Sequence, residues 1–175
     1  MSYALIAVRA PKSEVQAALK TLNRHADLLE EDGYTVVQDR ALAAQDLLTV
    51  LYSGVESDLE KLARELSLTL KVTTFATLNF ESEVLAFFAF SSGVLLSQYN
   101  SSPNYLACST TPPVAENVQE LAALFGVPEN ARAIAQLLGR KRGLGFASEL
   151  QRHEQLAALL GLPRSSVDGV VSSAV

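Results

Sequence analysis

The sequence predicts an α/β fold of the α+β kind: a ferredoxin-like βαββαβ antiparallel sheet with an added β-hairpin and a C-terminal three-helix region. Three observations lead there. A strand-then-helix pattern occurs twice in the first half of the chain, the stretch from Val84 to Ala115 contains no Asp, Glu, Lys or Arg, and the apolar period changes from two to 3.6 after Pro112. The 175 residues are 49% apolar and 19% charged, with mean hydropathy +0.18, which is enough to bury a core. A single domain is expected over residues 1–175, with a sheet-rich part (1–100) and a helical part (112–163) packed on it.

Tyr3 to Val8 reads as a strand, and Pro11 stands where a helix can begin, because its fixed φ and missing N–H suit the first turn. Val15, Ala18, Leu19 and Leu22 then recur at i, i+3, i+4, i+7, and the same spacing returns at Leu59, Leu62, Ala63 and Leu66. YTVVQDRAL from Tyr34, the run LLTVLYSG from Leu47 and LTLKVTTFATL from Leu68 are expected as strands, while the acidic LLEEDG, with Glu30, Glu31 and Asp32, is expected as a solvated turn. SEVLAFFAF and VLLSQY, around Ser91-Ser92-Gly93, form the added hairpin; a strand without charges of this length is expected to be buried on both faces.

Beyond Pro112, the stripe Val118, Leu121, Ala122, Phe125 is stopped by Gly126 and Pro128. A second helix is expected from Glu129 to Leu138. A third is announced by the capping-box pattern Ser148-Glu-Leu-Gln151 and closed by Gly161 and Pro163.

Fourteen basic against nineteen acidic side chains give a net charge of −5 and a pI near 5.0, which argues against strong binding to nucleic acid or to anionic membrane. One cysteine, Cys108, cannot form an internal disulfide. The N-terminal MSYALIAVRAPKSE lacks a basic leader, and VLAFFAFSSGVLL is too short to span a bilayer, so a cytoplasmic protein without membrane association is expected.

No catalytic constellation is visible. His25 and His153 have no neighbouring motif, no Ser sits in an elbow, no metal-ligand spacing occurs and no cofactor is implied. The basic run Arg140, Lys141, Arg142 lies between glycines, where it could hold an anion or simply complement a helix C-terminus. Ala157, Gly161 and Val167 match a helix-turn-helix spacing, which makes DNA binding one alternative reading, with a small-molecule-binding domain or a hydrolase as another. The neutral segment SQYNSSPNYLACSTTPP has the Ser/Asn/Tyr composition of adaptable contact loops, or of an ordered connection; its candidate contact residues are Tyr99, Asn100, Asn104 and Tyr105.

YNSSPNY, followed by ELAALFG and by FASELQRHEQLAALLGLPRSSV, resembles a set of uncharacterised bacterial proteins in which a Tyr-x-Ser-x-Pro-x-Tyr loop precedes helices ending in an LGLP turn. That resemblance implies a bacterial cytoplasmic domain and no particular activity. The expected function is accordingly a non-catalytic binding or interaction module, regulatory or immunity-like, acting on a protein partner or on a second copy of itself as a homo-oligomer.

Overall fold

The computed structural model describes residues 1–107, 111–141 and 148–170. Strand β1 (Tyr3–Val8) is apolar at every position and buried at every position, so it takes a central place in the sheet. Helix α1 (Lys12–Thr21) starts after Pro11 and turns Val15, Ala18 and Leu19 inward. Strands β2 (Ala26–Glu31) and β3 (Tyr34–Asp39) are joined by Asp32 and Gly33 at φ 52 and 80, the left-handed pair that a two-residue hairpin turn requires. Two helices follow, α2 (Ala44–Leu51) and α3 (Asp58–Leu70), the second opened by a complete Ser57–Glu60 capping box.

Strands β4 (Thr73–Phe80), β5 (Val84–Ser91) and β6 (Val94–Asn100) form a meander, and a short β7 (Val114–Glu116) adds a seventh strand. The remaining helices are α4 (Val118–Leu124), α5 (Ala131–Gly139), α6 (Glu149–Leu160) and the single turn α7 (Ser165–Asp168). Ser148 caps α6 by accepting from the Gln151 N–H, and Gly161 ends it at φ 69.

All pairings are antiparallel and the order is β2-β3-β1-β4-β5-β6-β7, which differs from a simple ferredoxin-like sheet. Alternate residues feed two cores. Ala4, Ile6, Val8, Leu78 and Phe88 pack under α1, α2 and α3, while Ala7, Phe75, Phe87 and Tyr99 pack under α4, α5 and α6. The hairpin joins the sheet through β4, and β5 is buried on both faces from Val84 to Phe90.

Several sequence expectations are corrected. LLTVLYSG is helical over most of its length: as a strand it would send Leu47 and Leu51 to one face and Leu48 to the other, whereas in α2 Leu47 and Leu51, one turn apart, pack on the core beneath the helix, Leu48 is buried beside them, and Gly54 at φ 75 follows. The acidic run is largely strand β2 and not a turn, because an edge strand tolerates charges that find partners. Asp27 pairs with Arg40, Glu30 accepts from the Lys12 N–H at 2.7 Å, and Glu31 accepts from the Ser165 N–H at 3.0 Å. The segment after Pro112 opens with β7 rather than with a helix. A 3₁₀ turn at Pro128–Asn130 delays α5 to Ala131, and α7 is a fourth helix where three were expected.

Candidate functional site

Antiparallel register separates the candidate contact residues. Tyr99 lies opposite Phe87 and faces the C-terminal helices, stacking on Phe87 at 5.5 Å and lying under the Arg152 guanidinium at 5.9 Å. Its hydroxyl donates to the Leu138 carbonyl at 3.0 Å, and burial pushes its pKa up. At 2% exposure the Tyr99 side chain does not offer the exposed contact expected of it; period-two alternation carries its ring into the core. Asn100 points to the opposite face.

The loop beyond is clamped along its length. The Asn100 side chain accepts from the Ser102 N–H at 2.9 Å, and Tyr52 of α2 donates its hydroxyl to the Ser102 carbonyl at 2.6 Å. Asn104 donates to Thr111. The Tyr105 hydroxyl donates to Glu83 at 2.7 Å, and its ring meets Phe80 edge-on at 6.4 Å. Asn104 is exposed and Tyr105 half-buried, so these four residues do not converge on one site.

Arg140 and Lys141 are exposed just beyond α5, while Arg142 and Cys108 lie outside the described residues. A different cation serves the end of α5. The guanidinium of Arg152, only 1% exposed, donates to the carbonyls of Leu137, Leu138 and Arg140 at 2.7, 3.1 and 2.6 Å, and pairs with buried Glu149 at 2.7 Å. Sequence reading missed this residue because it lies a helix away from the carbonyls it satisfies.

His153 of α6 is fully enclosed. Its Nδ1 shares a 2.7 Å hydrogen bond with the Tyr3 hydroxyl, and among the described residues its Nε2 has no hydrogen-bond partner. Burial pushes the imidazole pKa down to about 4, so the ring is neutral at physiological pH. His25 lies on the surface far along the chain, and among the described residues no group of three or more His, Cys, Asp or Glu could hold a metal ion.

The helix-turn-helix spacing leads to a one-turn α7 whose Ser165, Ser166 and Val167 are buried, with Arg164 held by Asp168 at 2.9 Å. That segment presents no exposed recognition helix.

A groove of about 590 Å³ lies on the other face of the sheet. Helices α1 to α3 cover that face as far as β5, and α3 reaches β6, but no described helix on this side packs against β7. The floor is the buried Phe88 and Phe90 of β5 with the more exposed Leu95, Gln98 and Asn100 of β6; the walls are the α2–α3 connection and α3 on one side and β7 on the other. Val55, Leu95 and Val114 line it at 66, 41 and 47% exposure. Three carboxylates, Glu56, Glu60 and Glu116, stand on its rim with one cation, Arg64.

The rim is locally ordered. Arg64 makes a two-pronged contact with Glu56 at 2.7 and 3.2 Å, which holds the Glu56 carboxyl below its usual pKa. Glu60 accepts from the Ser57 N–H at 2.8 Å, and Glu116 accepts from Gln98 at 2.8 Å. At the hairpin turn α3 lies close on the sheet: the Gly93 N–H donates to Ser67, and a Cβ at Gly93 would lie 2.9 Å from the Leu68 Cβ. Of the candidate contact residues Tyr99 and Asn100 line the groove, Tyr99 with its ring turned to the other face of the sheet, against Phe87. A usable signal for the rest was strand β6, which is uncharged yet continues past the last helix stripe.

No protein-family model, curated protein or solved structure matches the chain. No helix among the described residues is long and apolar enough to cross a membrane.

Proposed function

We propose that the protein is a non-catalytic, cytoplasmic interaction module that acts by contact with another protein, and that the partner lays a segment in the groove between α3 and β7. The observation that supports this reading is the uncovered floor. Val55, Leu95 and Val114 are exposed apolar residues gathered on one concave surface, whereas isolated exposed apolar residues elsewhere need no explanation. The same reading treats β1 to β4 with their helices as a ferredoxin-like unit, to which β5, β6 and β7 are an addition that creates the groove. The clamped Tyr/Asn loop then serves as the groove's end wall, through Pro103, and not as the contact itself.

The test is site-specific photo-crosslinking in the source bacterium. A crosslinker at Leu95 is expected to trap a discrete partner, and Val55→Asp is expected to abolish the adduct. The same group at Leu106, which is 58% exposed but outside the groove, serves as the control. An adduct at Leu106 without one at Leu95, or an adduct that survives Val55→Asp, contradicts the reading.

A further inference from the structure

We infer that the groove takes a short segment of a partner protein whose apolar side chains are flanked by Lys or Arg, a deepening that rests on the contact reading above. The floor is apolar and the rim is acidic, with three carboxylates against one guanidinium. The one cation is already engaged by Glu56. A carboxylate accepts about four hydrogen bonds, so Glu60 and Glu116, each shown with one N–H donor above, have capacity for incoming cationic donors.

The same features disfavour other occupants. A second copy docking through a two-fold axis would set Glu56, Glu60 and Glu116 against their own counterparts, on chains that each carry a net charge of −5. An acidic peptide meets the same repulsion. Strand addition is limited as well, because β7 has three residues and Pro112 and Pro113, without N–H groups, precede it. The occupant is therefore held by its side chains. At about 590 Å³ the groove falls within the ~300–1,000 Å³ of ordinary ligand clefts, which suits a few anchoring side chains and not a flat domain face.

The experiment is a fluorescence anisotropy titration of the full chain with a synthetic amphipathic Leu/Lys peptide and its Leu/Glu counterpart. The Leu/Lys peptide is expected to bind saturably, more weakly as salt rises, and roughly tenfold more weakly to the triple variant Glu56→Gln, Glu60→Gln, Glu116→Gln. Gln at position 60 preserves the capping box, so α3 stays intact, which thermal unfolding verifies. Neutralising Glu14, Glu30 and Asp32, near the opposite edge of the sheet, is expected to leave binding unchanged. Equal weakening by both triple variants, or equal binding of the Leu/Glu peptide, overturns the inference. If the Leu95 crosslinker traps a partner while the peptide ignores the rim acids, the inference fails and the contact reading stands; if neither responds, both fail.

Discussion

Under α4 to α7 the sheet is roofed from Tyr3 on β1 to Tyr99 on β6, and the roof encloses a neutral histidine, a tyrosine hydroxyl and a full Arg152–Glu149 ion pair. Under α1 to α3 the core is mainly aliphatic and aromatic, with fewer polar groups, among them Asp39 paired with Arg24 at 2.7 Å and Thr74 donating to the Ala63 carbonyl at 2.9 Å, and at Phe88 and Phe90 it borders the groove. The polar groups on the closed face are occupied with holding the fold. Arg152 takes over carbonyls that α5 cannot satisfy itself, and His153 is out of reach of solvent. On the proposed contact reading the exposed Leu95 and Val55, and not the buried polar residues, meet the partner.

The largest effect that could break this contrast is on the closed face. Arg152→Ala leaves Glu149 without this partner and uncaps α5, with an expected loss of about 3–5 kcal/mol by urea denaturation. A loss under about 1 kcal/mol, the level of a surface pair, would mean that water already reaches the site.

His153 gives the next effect, and its sign follows from the lowered pKa. The unfolded chain binds the proton near pH 6.5 and the folded chain only near pH 4, so this contribution is complete above 6.5 and is lost as pH falls toward 4. At about 1.4 kcal/mol per unit the loss is about 3 kcal/mol in total. Denaturation midpoints measured between those limits should fall in the wild type and flatten in His153→Gln. An unchanged pH slope in the variant would show that the imidazole is not the group responsible.

The smallest effect sharpens the other side of the comparison. Leu95→Asp places a charge on a floor already open to water, so its stability cost is expected to stay within about 0.5 kcal/mol while the crosslinked adduct disappears. A loss of several kcal/mol would show that the groove is closed in solution.

The sequence read well where a pattern is local. The stripes of α1, α3 and α4, the Ser148 cap, the Gly161 stop and the β5–β6 turn at Ser92-Gly93 all follow from spacing and turn chemistry within one element. It read poorly at Leu47 to Gly54 and at Leu28 to Glu31, where propensity pointed one way and the partners available in space decided the other.

By itself the sequence determined that an acidic, apolar-rich chain would bury an uncharged central strand and end in helices, because period and composition act over a few residues. Which face each residue met was decided only in three dimensions. Tyr99 and Asn100 are neighbours in the chain on opposite sides of the sheet, Arg152 finds its carbonyls a helix away, and the groove exists because three helices cannot cover seven strands. Those outcomes depend on strand order and helix coverage, and neither is a property of any short stretch of residues.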